Sequence, residues 1–164
     1  MIFSKPETQG TGHGEAMEAA HHIVCPRCAA TNRIPLAETA GEARCGTCHR
    51  ALFEGQPVAV DAAGLEKHCR ENDIPILLDV WAPWCGPCRA MSPMFERAAT
   101  KLEPAVRLLK LNADEEPEIA TKLGVSGIPA MLLLHHGQIF ARTAGAMDTR
   151  HIVNWARSHL AQAA

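Results

Sequence analysis

The hydrophobic and polar positions divide this chain into three stretches with different rhythms. Residues 1–22 are rich in Gly, Ala and polar side chains and show no usable period, which predicts a disordered tail. Residues 23–55 have four cysteines in two pairs and little periodicity. From residue 56 the pattern alternates between strand-like and helix-like segments. It predicts strands over Val58–Val60, Ile74–Ala82, Val106–Leu111, Ala130–His135 and Gln138–Thr143. Helices are predicted over Gly64–Glu71, Cys88–Leu102, Glu116–Leu123 and Thr149–Ala161. His136-Gly137, between the last two strands, reads as a hairpin turn. A mixture of βαβ units and a closing hairpin implies an α/β fold whose central mixed sheet carries helices on both faces.

The organisation expected is therefore a tail at 1–22, a tetracysteine segment at 23–55 and an α/β domain at 56–164, with Leu52–Pro57 as a short linker. A chain of 164 residues holds one ordinary domain plus a small appendage. The net charge of −2 gives no whole-chain attraction to nucleic acid or to a membrane surface. No apolar run approaches the ~20 residues needed to span a bilayer. The first residues lack the apolar core of a secretory signal, so a cytoplasmic location is expected. There thiols stay reduced, and seven cysteines imply metal or redox chemistry before structural disulfides.

Cys25-Pro26-Arg27-Cys28 and Cys45-Gly46-Thr47-Cys48 have sixteen residues between them, a spacing read as a metal site. Each turn can direct two sulfurs at one centre, and two turns complete a tetrahedral four-sulfur shell. Such a shell has no open position, so one structural zinc ion is expected. The rival readings are two disulfides or a second redox pair. A segment of about 35 residues is also too short to fold on a hydrophobic core alone. Gly46 is expected to supply a knuckle's unusual backbone conformation. His13, His21, His22 and His49 read as solvated side chains, His22 being near enough to Cys25 to serve as a spare ligand. Arg27, Arg33, Arg44 and Arg50 are diluted by Glu38, Glu42 and Glu54 and have no stacking aromatics, which argues against nucleic acid.

The densest chemistry lies in Trp81-Ala82-Pro83-Trp84-Cys85-Gly86-Pro87-Cys88-Arg89. Two cysteines two residues apart at a strand-to-helix junction read as a dithiol/disulfide redox pair. At a helix N-terminus Cys85 meets unpaired N–H groups and the macrodipole, both favouring the thiolate. Pro87 fits the first turn, where a missing N–H costs nothing. Asp79 interrupts an apolar strand, so desolvation should raise its pKa and suit it to exchange a proton with a thiol. A buried acid satisfied by a nearby lysine is the plainer reading. Cys69 lies one turn from Leu65 and is expected to face the core as a small hydrophobe.

At these residues the chain resembles the thioredoxin family, from about Val58 to the C-terminus. WCGPC matches the family's active site; Asp79 matches its buried acid and Lys110 the lysine beside that acid. Gly127-Ile128-Pro129 matches the loop that carries a cis-proline next to the dithiol. Gly145 matches a glycine of the substrate-binding surface, and Pro93 the proline that bends the active-site helix. The resemblance implies a substrate-binding surface made of Trp84, Gly86, Pro87, Ile128, Pro129 and Gly145, with Ala144 beside it and Trp81 packed beneath. Ala130 stands where many members have Thr. Gly86-Pro87 points to the reducing members, because oxidases and isomerases of this fold generally carry His in that pair. The tetracysteine segment, with Asn32-Arg33-Ile34-Pro35 and Leu52-Phe53-Glu54-Gly55, resembles the zinc-containing second thioredoxin of bacteria. The function implied is reduction of disulfide-containing proteins by Cys85 and Cys88, recharged by thioredoxin reductase and serving cell redox homeostasis. The competing expectations are a zinc-dependent partner-binding module or an oxidant sensor with the same fold as a docking surface.

Overall fold

The computed structural model describes residues 2–3, 19–35 and 40–163. Two strands, β1 (Ala20–Val24) and β2 (Thr31–Pro35), pair antiparallel as a separate small sheet. The main sheet contains β3 (Val58–Val60), β4 (Ile76–Trp81), β5 (Arg107–Asn112), β6 (Ala130–His135) and β7 (Gln138–Ala144), in the order β3-β5-β4-β6-β7. β5 runs parallel to both β3 and β4, while β6 is antiparallel to β4 and β7. The helices are α1 (Ala62–Glu71), α2 (Gly86–Leu102), α3 (Pro117–Lys122) and α4 (Thr149–Ala163).

β4 is the sheet's middle strand and carries the site, with five consecutive buried residues before Trp81. Its alternation sorts side chains between two layers, as the two-residue period of a strand requires. Ile76, Leu78 and Val80 join Leu65 of α1 and Ile119 of α3 in one core. Leu77 faces the other way, with Met91 and Phe95 of α2 and Ile152 and Val153 of α4. Asp79 shares the face of Leu77, so it points into the layer that bears α2. β5 repeats the pattern: Leu109 and Leu111 go to the first core and Leu108 to the second, placing Lys110 on the face of Asp79. The strand begins at Ile76 rather than Ile74, because Pro75 has no N–H to give a ladder; its carbonyl instead accepts from the Arg107 N–H at 2.9 Å.

The small sheet is not an independent appendage. Ile23, Ile34, Leu52 and Phe53 form a third core that reaches Ile74 of the main domain. Leu52–Pro57 is thus not a linker throughout: Leu52 is fully buried and Phe53 nearly so. The expected tail also ends earlier than residue 22, since β1 starts at Ala20. His22 is held from both sides of its backbone: its N–H donates to Asp73 Oδ2 at 2.7 Å, and its carbonyl accepts from the Asp73 N–H at 2.9 Å. Phe3 is buried against the first core and the Ile2 N–H donates to the Gly137 carbonyl at 2.9 Å. Residue 1 and residues 4–18 of that predicted tail, His13 included, lie outside the described residues.

Arg107 anchors the seam between the two parts. Its Nη2 donates to the carbonyls of Leu52 at 2.7 Å and Val24 at 3.3 Å, and Nη1 donates to Glu103 Oε1 at 3.2 Å. The guanidinium also lies 4.7 Å from the centroid of the Phe53 ring. From α1, Asn72 accepts the Val24 N–H at 2.8 Å and contacts His68 Nδ1 at 2.6 Å. Burial pushes the His68 imidazole down to about 3, with Arg107 and Lys67 pushing the same way, so it is neutral in the fold. Cys69 is fully buried and its thiol is pushed up to about 12, chiefly by burial, as a core hydrophobe should be.

Candidate active site and metal centre

Cys85 and Cys88 stand at the start of α2, joined as a disulfide with their Cα atoms 5.3 Å apart. Cys85 is the N-cap: it has extended backbone, and its sulfur accepts from the Cys88 N–H at 3.2 Å. Pro87 falls within the first turn, and the helix begins at Gly86, two residues before the expected Cys88. The N-cap sulfur takes one of the N–H groups that a helix start leaves unpaired, which stabilises negative charge there. Cys85 is 5% exposed and Cys88 2%, so the first cysteine has only slightly more access to solvent. Both pack with Ala82, and Trp81 and Ile128 cover them.

Beneath the dithiol, Asp79 is 1% exposed and its Oδ1 has no hydrogen-bond partner. Burial pushes the carboxyl up to about 7, and the Lys110 ammonium pulls only partly against it. Asp79 and Lys110 are register partners on β4 and β5. The plainer reading, an acid satisfied by the lysine, does not describe this arrangement. Lys110 Nζ donates to Ser92 Oγ of α2 at 2.9 Å and lies 5.0 Å from the Trp81 ring centroid.

The rim comes from three loops. The Ile128–Pro129 peptide is cis, and the Cys85 sulfur lies 3.9 Å from the Ile128 carbonyl oxygen. The Gly145 N–H donates to the Pro129 carbonyl at 2.9 Å, and Gly145 has φ +99°, a conformation that favours glycine. Ala144, Gly145, Gly86 and Pro87 are exposed around Ile128, which is half-buried. Trp84 is 67% exposed, the one large hydrophobic so placed among the described residues. Its indole Nε1 donates to Asp114 Oδ1 at 3.0 Å. Sequence reasoning missed Asp114 and Ser92. The Asn112-Ala113-Asp114 turn, in which the Asp114 N–H donates to Asn112 Oδ1 at 2.9 Å, was the available signal for the first.

The second constellation also assembles. The sulfurs of Cys25, Cys28, Cys45 and Cys48 all lie within 4.8 Å of one another. Cys25 and Cys48 are 3.6 Å apart, as are Cys28 and Cys45. A tetrahedral thiolate shell with bonds of about 2.3 Å sets sulfurs about 3.8 Å apart, so the four fit one metal ion. N–H donors surround the sulfurs: Arg27 N reaches Cys25 Sγ at 3.4 Å, Thr47 N reaches Cys45 Sγ at 3.4 Å and Asn32 Nδ2 reaches Cys45 Sγ at 3.5 Å. The Cys48 and Thr47 N–H groups hold the Cys45 thiol well below the ordinary thiol range. The two knuckles repeat one geometry, each with a left-handed residue just after its second cysteine, Ala29 at φ 60° and His49 at φ 64°. Gly46 is therefore not the strained position; its N–H donates to Asn32 Oδ1 at 2.9 Å. His49 is exposed, and His22 pairs with Asp73 through Nδ1 at 3.0 Å. Neither joins the cluster.

Among the described residues no helix is long and apolar enough to cross a membrane. A family model described as Thioredoxin matches residues 56–158, and a zinc-ribbon model described as Thioredoxin 2, N-terminal, matches residues 24–50. Thioredoxin C-3 of Corynebacterium nephridii is 34% identical over 140 residues, which cover 85% of this chain and 96% of that protein. That span is too long for the C-terminal domain alone. The thioredoxin of Haemophilus influenzae is 36% identical over 101 residues, 62% of this chain and 94% of its own. A mutant thioredoxin from Halobacterium salinarum matches the fold with a TM-score of 0.58 at 27% identity, over 64% of this chain and 91% of that one. Chloroplastic thioredoxin z, at 23% identity and a TM-score of 0.59, covers 65% of this chain and 96% of its own, a likeness of fold alone.

Proposed function

The chain belongs to the thioredoxin family, in the two-part form with a zinc-ribbon segment, and is a thiol–disulfide oxidoreductase; from that premise we propose that it is a general protein-disulfide reductase. The observation that carries this reading is the position of the Cys85 sulfur. It caps α2 under the Cys88 N–H and lies beside the Ile128 carbonyl at the edge of an exposed, largely apolar rim.

The chemistry follows from that placement. In the dithiol form Cys85, as thiolate, attacks one sulfur of a substrate disulfide. A Cys85–substrate bond forms, the substrate S–S bond breaks, and one substrate sulfur leaves as thiolate. The Cys88 thiol then gives its proton to the Asp79 carboxylate and attacks Cys85 Sγ. The mixed disulfide breaks, the second substrate sulfur leaves and takes up a proton, and Cys85–Cys88 is left oxidised. Two electrons have passed to the substrate. A buried carboxyl near pKa 7 can give and take a proton at neutral pH. Trp84, Gly86, Pro87, Ile128 and Gly145 form the surface on which an extended substrate segment lies, and the buried Pro129 fixes the cis loop along which its backbone pairs. Lys110 supports the proton step by offsetting only part of the burial penalty on Asp79.

Thioredoxin reductase, drawing on NADPH, is the proposed electron donor, with a reducing cytoplasm as the setting. Cys25, Cys28, Cys45 and Cys48 would hold one zinc ion, whose role when bound is to cross-link the two knuckles. With four thiolates around it the ion has no position left for substrate, so its place is structural. A pure docking surface has no use for a capped dithiol over a buried acid, which favours the reductase over a binding module.

The test is NADPH consumption with thioredoxin reductase and insulin as the disulfide substrate, with wild type and Cys85→Ser. Turnover by wild type that is lost in the variant supports the reading. No wild-type turnover, despite a titratable Cys85–Cys88 pair, overturns it.

A further inference from the structure

The Lys110 ammonium has a carboxylate for a sheet neighbour but binds a hydroxyl and lies near the Trp81 ring. Neighbouring strands run about 4.8 Å apart, and Asp79 is its register partner on the same face of the sheet. Yet the ammonium donates to Ser92 Oγ at 2.9 Å, while Asp79 Oδ1 stays buried without a hydrogen bond. Ser92 lies one turn along α2 from Cys88, so its hydroxyl draws the charge toward the helix. We propose that Ser92 is a positioning residue for the reduction: its hydroxyl holds the Lys110 ammonium away from Asp79 and so keeps that carboxyl able to exchange a proton with Cys88 at neutral pH.

The surroundings of Asp79 leave this pair in control. From β5 its register partner is Lys110, from β6 the apolar Met131, and the face it shares with Leu77 looks onto α2, which carries Cys88 and Ser92. Among the described residues Lys110 is the one charged side chain that acts on the carboxyl against burial. A groove of about 570 Å³, lined by Trp81, Lys110 and Asn112 on one side and by Cys25 and Arg27 on the other, brings solvent to the lysine. An ammonium hydrated there and held by a hydroxyl loses little by staying off the carboxylate. Without the hydroxyl, Asp79 Oδ1 across the register remains as a buried acceptor that lacks a hydrogen bond.

The proposal rests on the reading of Asp79 as the base, and the test separates the two. The Asp79 carboxyl is titrated by carbon NMR in wild type, Ser92→Ala, Ser92→Thr, Lys110→Met and the Ser92→Ala/Lys110→Met double variant. Insulin reduction is followed against pH in the same set. Ser92→Ala is expected to lower the Asp79 midpoint by about one unit, the smallest effect usual for an opposite charge at close range. Ser92→Thr restores the midpoint, and Ser92→Ala adds nothing once Lys110 is Met. The pH profile of turnover moves with the midpoint. An unchanged midpoint in Ser92→Ala, or an equal shift in the Lys110→Met background, overturns the proposal. If the midpoint moves while the turnover profile stays fixed, Asp79 is not the base. The role of Ser92 in reduction falls with it, and only its hold on Lys110 stands.

Discussion

The guanidinium of Arg107 and the carboxylate of Glu103 form an ion pair 3.2 Å apart with side chains only 1% and 4% exposed, where the cysteine-rich segment meets the thioredoxin domain. Glu103 also accepts the Gly55 N–H at 2.9 Å, while Arg107 binds two carbonyls of the other part. Removing one partner of such a buried pair leaves the other charge stranded. Arg107→Met is expected to lower stability by about 3–5 kcal/mol and to loosen β1 and Leu52 selectively. Guanidinium denaturation measures the first, and hydrogen exchange at Val24 and Leu52 the second. A variant as stable as wild type, with those amides still protected, would show that the seam does not depend on Arg107.

Asp79 gives a pH dependence with a definite sign. Its folded carboxyl is near 7 against an ordinary value of 3.8, so between those values the folded state binds more protons than the unfolded one. Stability therefore falls as pH rises through that window. Asp79→Asn, which mimics the neutral acid, should add about 2–4 kcal/mol at pH 8 and almost nothing at pH 4. The same variant should slow substrate reduction about 100-fold or more near neutral pH. Denaturation at the two pH values and stopped-flow reduction check these. An equal stability gain at both, or unchanged turnover across pH, would contradict the role assigned to Asp79.

The tetracysteine centre makes a claim about metal. The reduced protein should bind one zinc ion, and a strong chelator should lower its unfolding midpoint and open Cys25, Cys28, Cys45 and Cys48 to alkylation. The Cys85–Cys88 reaction should persist, because the main sheet has its own cores. Metal content by mass spectrometry, before and after chelation, is the readout. Purified protein that carries no zinc and does not change on adding it would rule out the structural role.

Cys69 should be inert. With its thiol pushed up to about 12 by burial, it is almost entirely protonated at pH 8. Iodoacetamide is expected to modify reduced Cys85 within minutes and Cys69 only after unfolding. Peptide mapping distinguishes them, and rapid native labelling at Cys69 would mean that α1 opens far more readily than its packing indicates.

The strands and helices from Val58 onward were legible because their apolar periods are long and their breaks carry Pro or Gly. Both cysteine constellations were legible for a different reason: spacing alone brings a CxxC pair together. The residues that join the two parts were not. Arg107 opens a strand that also carries Lys110, and nothing local says that its charge will be met by carbonyls of Val24 and Leu52. Leu52 and Phe53 looked like a linker because the core they fill comes from β1, β2 and Ile74. Nor did the period of Ala20–Val24 suggest a strand, since its pairing depends on β2 and on Asp73. Gly46 shows a subtler limit: the strained positions fell on Ala29 and His49, where the CxxC turn demands them regardless of residue type. Nothing in the helix pattern around Ser92 says that Lys110 of β5 will reach it.

In the proposed reduction Cys85 attacks the substrate and Cys88 resolves the intermediate. Cys88→Ser tests it most directly: the reduced variant, mixed with insulin, should accumulate a mixed disulfide that mass spectrometry places on Cys85. An adduct at Cys85 that wild type does not retain is the result this account predicts. No adduct, or one carried by the cysteines of the zinc-ribbon segment instead, would contradict it.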